Sequence, residues 1–241
     1  MMYESTVIFA ATLIFLGSFV QTAIGFGLAI VAAPLLFQLS PQYVPAPICL
    51  VALVISLINA FKLRSSVSIG GLKSAIIGRV PGSLLGGFLL TVASGATLSL
   101  WLGAMVLIAV GISALPYRLK PTPNRMLVAG FLSGVMGTSS SIGGPPMALL
   151  MQHEEAAKLR GNLSAFFVIT SIMSLVVLSF YGHFNVEHIK ITLPLLPAAI
   201  LGYWLANKVV GNLSQGVVRK FALLLCLASG LTAIYQGISG F

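Results

Sequence analysis

The chain has 241 residues, 58% of them hydrophobic and only 7% charged, with a mean hydropathy of +1.05 and a net charge of +9. A soluble domain carries about 25% charged residues, so this composition excludes a water-facing globular surface. The length suits several spans of about 20 residues joined by short loops, with no room for a separate soluble domain. The positive charge does not point to nucleic acid, because the basic residues sit in short loops between apolar runs, where they set topology.

The N-terminal residues, Met1 to Thr6, lack the basic n-region of a signal peptide, and the apolar run behind them is too long for one. The segment is therefore expected to be retained. In chain order the apolar runs cover 6–37, 44–61, 71–93, 98–115, 126–151, 161–181, 189–206 and 221–238. Backbone groups left unpaired in lipid are too costly, so each run is helical. The expected fold class is an all-α integral membrane protein. Cys49 and Cys226 lie inside apolar runs and read as small core residues. No Cys/His cluster has metal-ligand spacing, His153, His183 and His188 sit near loops, and no cofactor is expected.

The eight runs form two sets of four, a first repeat over 1–120 and a second over 121–241, within one transmembrane domain. Phe15-Leu16-Gly17 through Gly25-Phe26-Gly27 matches Leu132-Ser133-Gly134 through Ile142-Gly143-Gly144 at an offset of 117. Pro81-Gly82-Ser83-Leu84-Leu85-Gly86 matches Pro197-Ala198-Ala199-Ile200-Leu201-Gly202 at 116.

Basic residues choose the topology. If every run crosses once, the alternating faces hold seven and five of them, with Arg79 set aside as intramembrane. If the first run of each half enters and returns to its own side, one face collects Lys62, Arg64, Lys73, Arg118, Lys120, Arg125, Lys158, Arg160, Lys208, Arg219 and Lys220. The other keeps only Lys190. Eleven against one is the positive-inside pattern. Each half is then a broken-helix hairpin plus three crossings, and the repeats are inverted. Both termini are expected outside the cytoplasm. The hairpin runs of 32 and 26 residues are too short for two full crossings, so they are expected to be half-length helices meeting near the midplane, or short crossing pairs with a broken centre.

The hairpin tips are the candidate site. The first is Gln21-Thr22-Ala23-Ile24-Gly25-Phe26-Gly27 and the second runs from Gly137 to Pro146. Glycine allows positive φ and close approach, Pro145 and Pro146 suit a first helical turn, and Ser and Thr ahead of that turn are N-cap residues. Two helix N-termini aimed inward form an anion site. Its expected substrate-binding residues are Gln21, Thr22, Gly25, Gly27, Arg79, Thr138, Ser139, Ser140, Gly143 and Gly144. The anion is expected to be held mainly by backbone N–H groups and short hydroxyls. Glu4, Glu154, Glu155 and Glu187 all fall at segment ends or in loops, so no carboxylate is left inside to carry Na⁺ or a proton. Arg79 is the only basic residue well inside a run, and an intramembrane charge is a functional hypothesis. Against these readings, Gly86, Gly87 and Gly202 read as helix packing, Arg79 as a residue able to snorkel to the basic face, and Asn59 and Asn162 as caps.

At its tips the sequence resembles the sulfite exporter TauE/SafE family of small bacterial membrane proteins. The matching residues are Gly17, Gln21 through Gly27 and Pro34, then Gly130, Gly134, Gly137 and Gly143-Gly144-Pro145-Pro146, and Arg160-Gly161-Asn162-Leu163-Ser164-Ala165-Phe166-Phe167. Family members typically carry a more continuous glycine run where this chain has Thr138-Ser139-Ser140-Ser141. The resemblance implies transport of sulfite, sulfonates or related small organic anions across the bacterial cytoplasmic membrane. The spacing itself points only to an anion.

The expected function is thus a non-enzymatic secondary transporter or facilitator exporting a small anion. The partners are that anion and the lipid bilayer, with homo-oligomerisation open. An anion channel and an intramembrane serine protease are the alternatives. The protease would need a serine with a positioned histidine base.

Overall fold

The computed structural model describes residues 2–93, 95–114, 119–152, 154–209 and 215–239. Within these the chain is helical throughout, and six helical segments are long and apolar enough to cross a membrane, from Thr6–Ile24 to Val186–Val209. Arg118 and His153 lie outside the described residues, as do the side chains of Arg219, Lys220 and Cys226.

The run over 6–37 becomes two helices, α1 (Met2–Ile24) and α2 (Leu28–Leu39). Gly25 at φ 93° and Gly27 at φ 117° make the break, a conformation that costs a residue with a Cβ about 1–2 kcal/mol. The chain then doubles back, so that a Cβ on Gly17 would lie 2.8 Å from the Leu28 carbonyl. Next come α3 (Ala46–Lys62), α4 (Lys73–Val92) and α5 (Gly95–Ala114). The second half repeats this order. α6 (Pro123–Ser140) opens on Thr122, whose hydroxyl accepts the Arg125 N–H, and ends on Ser141 at φ 65°. α7 (Gly144–Met151) doubles back, followed by α8 (Ala156–Phe180). The seventh run is divided by a 3₁₀ turn around Pro194 into α9 (Val186–Thr192) and α10 (Leu196–Val209), and α11 (Gln215–Ser239) closes the order.

The expectation of half-length arms holds for α2 and α7 only. With 23 and 18 residues, α1 and α6 are about 34 and 27 Å long, although α6 is not one of the six apolar spans. Thr6–Ile24 alone is long enough to cross.

Small residues let the helices approach closely. α4 and α6 run parallel with Gly78 on Leu127, Gly82 on Phe131 and Gly86 on Val135. A methyl at Gly78, Gly82 or Gly130 would overlap the facing carbonyl. Gly202 of α10 meets Phe15 of α1 in the same manner, which supports packing as the role of Gly86 and Gly202. α3 and α8 are antiparallel, with Leu63 beside Gly161 at one end and Cys49 clustered with Leu175 and Leu178 at the other. α5 and α11 are also antiparallel, Gly103 facing Ile234 and Gly237 facing Leu100. The main helix pairs are α4 with α6, α5 with α11, α1 with α10 and α3 with α8, each joining a helix before residue 120 to one after it.

This packing gathers the starts of α4, α6 and α8 in one apolar cluster around Leu72, Met126, Met151 and Leu163. Lys62 donates to Asn207 at the end of α10. Lys62, Lys73, Arg125, Arg160 and Lys208 therefore lie toward one end of the bundle, and Lys190 belongs to the segment entering from the other. Large side chains such as Phe61, Val92, Val176 and Phe180 face outward, as lipid-exposed helices require.

Candidate functional site

The two breaks meet across a small cavity. Gln21 and Gly27 come from the first break, and Ala29 and Ile30 from the first turn of α2. Gly137, Ser141, Ile142, Gly143 and Gly144 come from the second. Arg79 of α4, Cys49 and Ala52 of α3, and Phe167, Thr170, Ser171 and Ser174 of α8 complete the wall. The volume is about 40 Å³; a water needs about 10–15 Å³ measured this way, so there is room for a few waters or one small oxyanion.

Arg79 organises the second break. It is 3% exposed and does not snorkel. Its Nη1 donates to the Ser133 carbonyl at 2.6 Å and to the Ser133 hydroxyl at 2.5 Å, and its Nη2 donates to Ser174 Oγ at 3.0 Å. The Ser133 hydroxyl donates onward to the Gly143 carbonyl at 2.5 Å, tying the arms of the hairpin together. Among the described residues the Nε–H of Arg79, closed off from solvent, has no partner. Three described acids lie elsewhere: Glu154 accepts from Asn162, Glu187 pairs with Lys190, and Glu155 precedes α8. A buried guanidinium held by neutral oxygens is strongly under-compensated, and a small anion is the group that would complete it.

The helix N-termini contribute unequally. No side chain caps α2, and the first N–H returned to the break is that of Val31, to the Gly27 carbonyl. The N–H groups of Leu28, Ala29 and Ile30 precede any intrahelical partner. In α7 the second and third residues are Pro145 and Pro146, which have no N–H. Of the two expected N-termini, that of α7 therefore has fewer free N–H groups than that of α2, and the Arg79 guanidinium lies beside it.

Of the expected site residues, Gln21, Gly27, Arg79, Gly143 and Gly144 line the cavity together. Gln21 also donates to Ser56 at 3.2 Å. Thr22 is buried, its hydroxyl without a partner among the described residues. Gly25 packs on Arg160 and Leu163. Thr138 pairs with Ser174 at 2.9 Å, behind the guanidinium. Ser139 donates to the Val135 carbonyl and accepts from Trp101 Nε1, and Ser140 donates to the Met136 carbonyl. Ser141 donates to the Pro45 carbonyl at 2.8 Å and lies 3.5 Å from Cys49 Sγ. Asn162 is a bridge and not a cap: it accepts the Ser68 N–H and donates to Glu154.

The sequence reading did not count Ser133, Ser141, Ser174, Cys49, Thr170 and Ser171 among the binding residues, and it read Cys49 as a core residue. A signal existed for some of them. Thr170, Ser171 and Ser174 form one polar stripe on an otherwise apolar helix, and Ser133 and Gly137 share a face of α6 at a spacing of four.

A family model described as sulfite exporter TauE/SafE matches residues 9–233, nearly the whole chain and both halves of the site. No curated protein and no solved structure matches it.

Proposed function

This chain belongs to the sulfite exporter TauE/SafE family, and we propose that it carries a small oxyanion, of the sulfite and small sulfonate class, outward through the cavity between its two helix breaks. The observation that carries the reading is Arg79: a buried cation whose described partners are all neutral oxygens, on a cavity of anion size. The first-turn N–H groups of α2 supply the opposing donors. Charge-assisted hydrogen bonds are the strong ones, and the dipole of α2 has the matching sign. About 40 Å³ suits sulfite; a larger sulfonate needs the breaks to move apart.

Export needs no proton relay. An anion leaving a cell with a negative interior gains about 2.3 kcal/mol per charge per 100 mV. The halves 1–120 and 121–241 act as inverted repeats, a reading supported by the helix pairs that join the two halves and by the left-handed residue ending both α1 and α6. The basic end faces the cytoplasm, by the positive-inside rule.

The test is flux of sulfite, sulfate, thiosulfate, sulfoacetate and small carboxylates into liposomes holding the purified protein. Saturable transport of sulfite or a sulfonate is expected, and transport of none of these anions would sink the reading. Cysteine labelling at Thr122 and Gln152 tests the orientation, with both positions reached from the cytoplasmic side. Opposite accessibility would break the hairpin topology.

A further inference from the structure

One wall of the inner cavity belongs to a single helix. Phe167, Thr170, Ser171 and Ser174 of α8 line it together, at the i, i+3, i+4 and i+7 spacing of one helix face. Ser174 is engaged, 3.0 Å from Arg79 Nη2 and 2.9 Å from the Thr138 hydroxyl. Thr170 and Ser171 sit one turn nearer the start of α8, 1% and 7% exposed. Neither hydroxyl is hydrogen-bonded to a described residue, and both remain reachable by water, unlike that of Thr22. A buried hydroxyl without a partner costs free energy until a ligand or water satisfies it.

The charge around this space is limited. Among the described residues lining it, Arg79 alone is charged. Arg160 packs on Gly25 of the first break, but its Nε donates back to the Ala156 carbonyl at 3.3 Å and it does not line the cavity. The N-terminus of α2 adds about half a charge. The remaining wall is neutral, from Gln21 and the α8 hydroxyls to the apolar Ala29, Ile30 and Ala52. An oxyanion with one negative charge is balanced here. One with two carries an excess into a low-dielectric interior, where uncompensated charge is strongly disfavoured.

We propose that the cavity selects singly charged oxyanions over doubly charged ones of the same size, with Arg79 as the counter-charge and the Thr170 and Ser171 hydroxyls as neutral donors. This rests on the reading of the cavity as the anion site, and adds the charge state that is carried. Hydroxyls suit the task because they supply hydrogen bonds without supplying charge. Sulfite then enters with its proton, as hydrogensulfite, and a simple sulfonate enters as it stands.

The experiment is equilibrium binding of methanesulfonate, sulfate and sulfite to the purified full chain. Methanesulfonate and sulfate share a tetrahedral shape and differ by one charge, and sulfite loses its second proton near neutral pH. Methanesulfonate should bind at least about tenfold more tightly than sulfate, with no pH dependence across the neutral range. Sulfite affinity should fall about tenfold per pH unit above its second ionisation, following the singly charged fraction. Ser171→Ala and Thr170→Val should each weaken methanesulfonate about fivefold or more and preserve its advantage over sulfate. Sulfate binding as tight as methanesulfonate, or sulfite binding that holds or strengthens as pH rises, would overturn the charge selection and leave the anion site standing. Methanesulfonate affinity within about twofold of wild type in either variant would remove that hydroxyl from the site. Binding of none of the three anions would overturn the carrier reading and the selection with it. The charge and pH comparisons are made on the wild type, so they decide the question even if neither variant folds.

Discussion

The first break closes α1 with Gly25 at φ 93° and enters α2 through Gly27 at φ 117°; the second closes α6 with Ser141 at φ 65° and enters α7 through Gly143 at φ −88°. Both make the same reversal, but their surroundings differ. Gly25 and Gly27 lie against the side chains of Leu163 and Val20, and the first break keeps its helix N–H groups. At the second, prolines remove the donors, and a wired cluster of Arg79, Ser133, Ser174 and the Gly143 carbonyl replaces them. A related backbone device thus carries backbone donors on one side of the cavity and a fixed cation on the other. The first side depends on conformation, the second on a particular network.

The largest effect should come from Gly143→Val. A Cβ there would lie 2.7 Å from Arg79 Nη1 and 2.8 Å from the Ser133 carbonyl, so the substitution displaces the guanidinium from its network. We expect sulfite binding weakened by more than about 150-fold, the loss of upwards of 3 kcal/mol. Gly25→Val meets the movable Leu163 side chain at 3.1 Å and, in ordinary contact, Arg160 Cα at 3.4 Å, but must hold φ 93°. It should cost stability, about 1–2 kcal/mol, more than affinity. Binding and thermal unfolding measured on both variants check this; equal affinity losses would erase the contrast between the breaks.

Arg79→Gln comes next. It removes the charge but leaves donors able to reach Ser133 or Ser174, so folded protein should persist with transport reduced roughly 10- to 150-fold. Arg79→Lys should be intermediate, because an ammonium keeps the charge without the planar fork that spans Ser133 and Ser174. A fully active Arg79→Gln would make the second break purely structural.

Ser141 separates conformation from chemistry at the second break. Ser141→Gly relieves the left-handed backbone and loses the bond to Pro45; Ser141→Ala loses the bond and keeps the strain. The alanine variant should be less stable than the glycine variant by about 1 kcal/mol. Flux should change only a few-fold in either, and similarly in both. Equal stabilities would show that φ 65° is not strained in this context.

The sequence made the breaks legible because glycine and proline punctuate helices locally, and Gly25, Gly27, Pro145 and Pro146 are local signals. Arg79 was legible as a lone cation in an apolar run. Which hydroxyls face the anion was not, because that depends on how α6 and α8 rotate about their axes once Gly78, Gly82, Gly130 and Gly134 set the approach of α4 and α6. Thr138, Ser139 and Ser140 are consecutive, and about 100° per residue turns them to three different surroundings. Ser133 and Ser174 are 41 positions apart, and only packing brings them to one guanidinium.

The smallest effects are expected at two hydroxyls that the sequence placed in the site. Ser140 donates at 2.6 Å to the Met136 carbonyl one turn back in its own helix, a bond that helps the hydroxyl more than the fold. Ser140→Ala should leave sulfite affinity within about twofold, far below the roughly 5- to 150-fold a lost anion contact would cost. Thr22 is more informative, because its hydroxyl is buried and unpartnered. Removing an unsatisfied buried polar atom while keeping its shape is neutral or stabilising, so Thr22→Val should raise the unfolding temperature or leave it unchanged, with affinity unaltered. If Thr22→Val instead weakens sulfite binding tenfold, the hydroxyl is a donor reserved for a conformation in which the first break swings toward the anion. The two breaks would then share the anion through side chains as well as backbone.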